Sequence, residues 1–157
     1  MTLTLSFLIG VIAGLRAMTA PAAVSWAARV GWLDLTSTPL AFLGYALTPW
    51  IFTVLALVEL VTDQLPTTPS RTVPIQFGTR IVVGALTGGA IGASGGALIV
   101  GAIAGVAGAI AGTLGGRAGR AKLAAAFGSD RPAALIEDAI AIGGAFLIVS
   151  SIQALRS

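Results

Sequence analysis

IQFGTRIVVGALTGGAIGASGGALIVGAIAGVAGAIAGTLGG, residues Ile75 to Gly116, carries a single charge, Arg80, and decides what kind of chain this is. As one helix it would run roughly 60 Å at 1.5 Å per residue, about twice the hydrocarbon thickness of a bilayer, so it has to fold back on itself. Ser94-Gly95-Gly96 is the best turn. The expected products are a helix of about Ile75 to Ala93 and another of about Ala97 to Gly116, followed by a basic, helix-compatible stretch from Arg117 to Phe127.

The flanking sequence continues the pattern. An apolar run from about Leu3 to Val24 ends in an aromatic-basic cluster, Trp26, Arg29 and Trp32, of the kind found at membrane interfaces. The start, Met1 to Leu5, lacks a basic segment, so this run is read as a retained helix. A second run, Pro39 to Val61, is divided by Pro49-Trp50 into an interfacial piece, Leu40 to Thr48, and a spanning helix, Pro49 to Gln64. Pro66, Pro69 and Pro74 then enforce a loop, because proline cannot continue a helix. A last helix opens at Asp130-Arg131-Pro132, with Asp130 as N-cap, and runs to about Leu155. The expectation is an all-α polytopic transmembrane bundle of about five spanning helices, one domain over residues 1–157. Four crossings, with the third and fourth runs as a re-entrant hairpin, fit the same lengths.

Composition agrees with a bilayer. The chain is 56% hydrophobic and 10% charged, with 21 glycines and a mean hydropathy of +0.97, too apolar for a soluble domain of this size. Without cysteine or histidine there are no disulfides or thiolate metal sites, and any ion site must use oxygen ligands. The basic pI, about 10.7, comes from charges near helix ends, which suit anionic lipid headgroups and not nucleic acid. Arg71, Arg80, Arg117, Arg120, Lys122 and Arg131 fall on one side of a five-crossing arrangement. The positive-inside rule then puts the N-terminus in the cytoplasm of a bacterial inner-membrane protein.

Glycines fall four apart in rows: Gly84, Gly88, Gly92 and Gly96; Gly101 and Gly105; Gly108, Gly112 and Gly116. Such rows let helix backbones approach closely in lipid, within one chain or between copies of a homo-oligomer. Gly10 to Gly14 and Ala56 to Glu59 match Gly101 to Gly105 and Ala134 to Glu137 in the same order, which suggests an inverted repeat with halves 1–72 and 97–157.

Chemistry concentrates in the acids. Glu59, Asp63, Glu137 and Asp138 lie within or beside apolar runs, where a charge costs several kcal/mol unless paired or used. Glu59 and Asp63 share a helix face; Glu137 and Asp138 point about 100° apart. Arg16, deep in the first run, is expected to pair with Glu59, and Glu59 and Glu137 to line one cavity with Asp63 at its cytoplasmic mouth. Four acids against Arg16 and Arg80 leave a negative excess that a proton or a bound cation would neutralise. Thr68, Ser70, Arg71 and Thr72, in the proline-held loop, form a candidate anion-binding site. No catalytic residue and no cofactor beyond a bound cation is expected, and the metal, if any, is undetermined. A proton- or cation-coupled transporter or channel is the favoured function. A scaffold or partner-binding subunit, and a lipid-phosphate flippase or enzyme, are the alternatives.

Three segments, Gly14 to Trp26, Val58 to Thr72 and Leu135 to Gly144, resemble the small bacterial membrane proteins of the domain of unknown function 4126 family. That resemblance implies a multi-span membrane protein and hands over no catalytic residues. The acid pair with a Pro-Ser-Arg loop is also distantly similar to polyprenyl-diphosphate phosphatases and their flippase relatives, but lacks the glycine of their phosphate loop.

Overall fold

The computed structural model describes residues 1–63 and 73–155, which are helical and irregular with no strand. Six α-helices follow one another: α1 (Thr2–Leu15), α2 (Thr19–Arg29), α3 (Thr48–Thr62), α4 (Pro74–Ala93), α5 (Leu98–Phe127) and α6 (Asp130–Ala154), with a short 3-10 turn at Ala41–Gly44.

The folding back expected within residues 75–116 is observed. α4 stops at Ala93, the chain turns through Ser94, Gly95 and Gly96, and Gly96 takes φ +75°, which an L side chain rarely adopts. The returning helix packs glycine row against glycine row. A Cβ placed on Gly88 would stand 2.6 Å from the carbonyl oxygen of Gly101, and one on Gly92 would stand 2.8 Å from the Cα of Gly101. α1 packs on the same glycine stripe of α5, where a Cβ on Gly14 would lie 2.8 Å from the Cα of Gly112. Glycine rows therefore serve packing inside the chain, and at these positions no backbone is left for a second copy.

Because Thr2 lies beside Gly95, while Gly10 meets Gly105 and Gly14 meets Gly112, α1 runs parallel to α5. The N-terminus thus sits with the α4–α5 turn, at the opposite end of α5 from Arg117, Arg120 and Lys122. Grouping it with those residues, as counting five crossings did, does not match this packing.

The expectation of about five spanning helices is corrected. Two described helices are long and apolar enough to cross a membrane, α5 with 30 residues and α6 with 25. The first run fails because it breaks: α1 ends at Leu15, Arg16 is extended (φ −138°, ψ 109°), and α2 starts at Thr19. Pro21 explains the position of the break. Inside a continuous helix its ring would clash with the carbonyl of Ala17, four residues earlier, whereas in the first turn of a new helix it is tolerated. The second run yields only the 15 residues of α3, and α4 has the length but not the hydropathy. The basic stretch 117–127 is no separate element. It continues α5, which reaches roughly 45 Å and is closed by Gly128 in the left-handed region (φ +66°). At the start of α6 the N-cap is Ser129, not Asp130.

The core runs through Ile9, Ala13, Val24, Ala90, Ile91, Ala141 and Val149, joining α1, α2, α4 and α6. Outside it, α3 buries only Pro49 and exposes Trp50, Ile51, Val54, Leu57, Val58 and Val61. Leu135, Ile142, Phe146 and Leu147 of α6 are likewise exposed. These apolar faces are consistent with membrane contact.

Candidate functional site

The break between α1 and α2 exposes main-chain groups at two facing helix ends, and charged residues from other helices satisfy them. The last carbonyls of α1 and the first amides of α2 have no partner within their own helices. The Arg80 guanidinium, brought by α4, donates from Nη1 to the carbonyls of Gly14 and Leu15, each at 2.8 Å. Glu59 of α3 does the converse. Its Oε1 accepts from the amide of Ala17 and its Oε2 from the amide of Met18, both at 2.8 Å. Each charge opposes the partial charge of the helix end it meets, cation at the carboxyl end and anion at the amino end. The two are themselves 3.7 Å apart. Thr113 of α5 adds a 3.2 Å bond to the carbonyl of Gly14.

Arg16, whose backbone is the break, is completely buried. Its Nη1 is bonded to Asp63 Oδ2 at the end of α3, and its Nε donates to Asp138 Oδ1 of α6 at 2.6 Å. Nη2 stands 2.5 Å from the same Asp138 oxygen but is not aligned to donate, and is left without a hydrogen-bond acceptor. One guanidinium thus ties α3 and α6 to the break. Behind it, Arg120 of α5 grips Asp130 with two bonds of 2.8 and 2.6 Å, lies 3.6 Å from Glu137, and donates to the backbone carbonyl of Asp63 at 3.4 Å.

The sequence placed Arg16 inside the bundle bonded to an acid, and it is. The acid differs: Asp63 and Asp138 take Arg16, while Glu59 binds the main chain of the next two residues. The expected pairing took the first run as an unbroken helix, whereas the break turns the amides of Ala17 and Met18 toward α3 and Glu59. Where Glu59 and Glu137 are expected to line one cavity, the described residues bring Asp63 and Asp138 together through Arg16. Glu137 lines a cavity of about 310 Å3 with Leu15, Gly115, Gly119 and Arg120, and Glu59 is not part of that lining. Glu137 and Asp138 are both buried, 6% and 7% exposed. Arg120 was missed as a site residue. Its signal was its place four residues after Gly116, on the same helix face, and ten residues before Asp130, masked by reading 117–127 as a basic stretch following the helix and not as part of it. Thr68, Ser70, Arg71 and Thr72 lie outside the described residues.

Among the described residues no three acids gather closely enough to hold a metal ion. The acids face guanidinium groups and amides instead. What is present is a small, mostly helical protein with buried arginine–carboxylate pairs beside its long apolar helices.

No curated protein and no solved structure matches the chain. Over residues 3–151 it matches the family described as domain of unknown function DUF4126, a stretch that contains the broken helix and every residue of the clasp around it, and the chain belongs to that family.

Proposed function

We propose that this is an integral membrane protein that handles ions at the broken helix, as a proton- or cation-coupled transporter or channel. The observation that carries the reading is Arg16, fully buried and shared by Asp63 and Asp138 from two helices that otherwise belong to different parts of the bundle. Discontinuous helices with charged or ligand groups at their facing ends are where membrane transporters place ion sites, since irregular backbone at depth is tolerated only when buried or lining a cavity.

In this reading Arg16 is a tethered cation. A proton or an inorganic cation that takes Asp63 or Asp138 competes with the guanidinium, loosens α3 or α6, and shifts the bundle between two arrangements by its differential affinity for them. Glu59 and Arg80 hold the break open throughout. The single domain 1–157, with halves 1–72 and 97–157, would then bring its two acid-bearing segments to one arginine.

The end of α5 carries Arg117, Arg120 and Lys122 and α6 opens with Arg131, so the positive-inside rule assigns that end to the bacterial cytoplasm, with Asp63 on the same side. Since α1 runs parallel to α5, the N-terminus falls at the other end. A scaffold reading has its own support: each of the acids Glu59, Asp63, Glu137 and Asp138 already faces a guanidinium or backbone amides, as register-fixing clasps would.

Flux separates the two. Purified protein in proteoliposomes under an imposed pH or sodium gradient should pass ions, and Asp138→Asn should abolish that flux while the protein stays folded. Equal flux in wild type, Asp138→Asn and Asp63→Asn, or none above empty vesicles, would leave the scaffold reading.

A further inference from the structure

α1 and α2 run in opposite directions on the two sides of the break. α1 travels with α5: Thr2 lies next to Gly95, just before α5 begins, and Thr113, midway along α5, donates to the carbonyl of Gly14 near the end of α1. α2 then returns along α3. The amides of Ala17 and Met18 meet Glu59, whereas Trp26 donates from Nε1 to Thr53 Oγ1 at 3.0 Å and meets Trp50 edge-on, with ring centroids 5.1 Å apart. The carbonyl of Asp63, which closes α3, accepts from Arg120, so α3 ends toward the basic end of α5 and begins away from it. The far end of α2 therefore lies with Thr2 and the α4–α5 turn. Arg16 to Met18 form the tip of a hairpin.

α5 supplies a depth scale. From Leu98 to Gly116 it carries no charge, about 28 Å of helix at 1.5 Å per residue, which matches a hydrocarbon core of about 30 Å. Thr113, and the tip beside it, then stands roughly 22 Å from the Leu98 edge and roughly 6 Å from the Arg117 edge. At the other end of the hairpin Trp26 and Trp50 pair beside the exposed Arg29, as residues of a membrane interface do. The cavity of about 310 Å3 extends from Val11 and Leu15, near the tip, to Arg120, Leu123 and Glu137 at the level of the basic residues. Away from the tip the two arms are closed off: Ile9, Ala13 and Val24 are fully buried.

We infer that α1 and α2 form a re-entrant hairpin, entering the bilayer from the extracytoplasmic side and turning back at Arg16 to Met18, so that the clasp receives its ion from the cytoplasm through the cavity beside Arg120 and Glu137. The inference rests on the membrane reading of the preceding section. A turn in the backbone at that depth is tolerated where its polar groups are satisfied within the protein, and the carbonyls of Gly14 and Leu15 and the amides of Ala17 and Met18 are. The packed arms seal the long outer path, while the inner path is about one helical turn. An ion leaving outward has to wait until α3 or α6 separates from the hairpin.

The chain contains no cysteine, so single cysteines report their own surroundings. Ser37, between α2 and α3, Ser94, in the α4–α5 turn, and Lys122 are exposed. In right-side-out and inverted vesicles from the expressing bacterium, a membrane-impermeant maleimide should label Ser37→Cys and Ser94→Cys in the right-side-out orientation and Lys122→Cys in the inverted one. If Ser37→Cys labels with Lys122→Cys and against Ser94→Cys, the first run crosses the membrane and the hairpin is overturned. Leu15→Cys reads access to the tip: a charged methanethiosulfonate should modify it from the Lys122 side and leave it intact from the other. Modification from the Ser94 side, or from neither, overturns loading from the cytoplasm. Should Leu15→Cys fail to fold, Gly119→Cys, in open space on the same cavity, takes its place with the same two outcomes. Labelling needs no flux, so a protein that passes no ions still decides the hairpin. Release of the protein from native membranes by alkaline carbonate would instead defeat the membrane reading itself.

Discussion

Replacing Arg16 by methionine keeps most of the side chain's length and deletes the guanidinium that two carboxylates share. Arg16 is fully buried, and the side chains of Asp63 and Asp138 are only 13% and 11% exposed, so little water can stand in for the lost partner. Removing one member of a buried ion pair costs about 3–5 kcal/mol, chiefly because a charge is left unpaired. With two carboxylates stranded and one near a helix end that can relax, about 4 kcal/mol is expected, a factor of roughly a thousand in the ratio of folded to unfolded protein. Arg16→Lys should fall between, since one ammonium cannot reproduce a fork that reaches Asp63 through Nη1 and Asp138 through Nε. Combining Arg16→Met with Asp63→Asn and Asp138→Asn removes all three charges and should recover at least half of the loss. Unfolding in mixed micelles, followed through the tryptophans near α2 and α3, gives each free energy. If Arg16→Met is within about 0.5 kcal/mol of wild type, or if the single effects simply add in the triple variant, the clasp does not exist as described.

Three other outcomes follow from the same geometry. Glu59→Gln keeps one acceptor oxygen and strands an amide, so it should cost about 1–3 kcal/mol and speed hydrogen exchange at Ala17 and Met18 selectively; unchanged exchange there would exclude the cap. Gly88→Val forces a branched side chain where even a Cβ would lie 2.6 Å from a facing carbonyl, and should destabilise by about 1–3 kcal/mol or more, whereas Gly119→Val, with open space around it, should be within about 1 kcal/mol of wild type. Asp130→Asn removes a pair whose acid is 61% exposed, so solvent screening limits the loss to about 0–1 kcal/mol, and that loss should shrink further as salt is raised.

What could be read from the sequence divides along a physical line. Helix type, the turn at Ser94 to Gly96 and the close glycine packing depend on local patterns, and these are where reading and structure agree. The number of spanning helices was not legible in the same way, because hydropathy averaged over the first run hides a break that a single proline and two distant charges create. Arg16, Glu59, Asp63, Glu137 and Asp138 stood out as costly charges in apolar runs, and all of them enter the charged network. Their pairing was not legible. It depends on where each helix end points, and a register error of one residue on α6 exchanges Glu137 for Asp138. Arg120 was hidden by its company: three basic residues in six positions look like a solvated face until α5 is seen to continue through them.

The break itself poses the sharpest test of how sequence and tertiary contacts share the work. Leu15, Arg16, Ala17 and Met18 are all good helix formers, so nothing in their own propensities stops α1 at Leu15. Pro21 disfavours continuation by removing one main-chain bond and crowding Ala17, at a cost of about 3 kcal/mol to a straight helix. Glu59 and Arg80 then supply the partners that a broken helix needs and a continuous one would not, since a continuous helix would bond the carbonyls of Gly14 and Leu15 to its own amides. Either restraint alone should suffice. Pro21→Ala should leave Arg16 extended because the two charges still reward the open ends, and Glu59→Gln should leave it extended because the proline still forbids the alternative. Only the double variant is expected to let helix propagate from α1 into α2. Carbon-13 secondary shifts at Arg16 and Ala17 report this residue by residue. Helical shifts in Pro21→Ala alone would mean that the charges follow the break and do not hold it, and extended shifts in the double variant would mean that the pull of Asp63 and Asp138 on Arg16 is the restraint that matters.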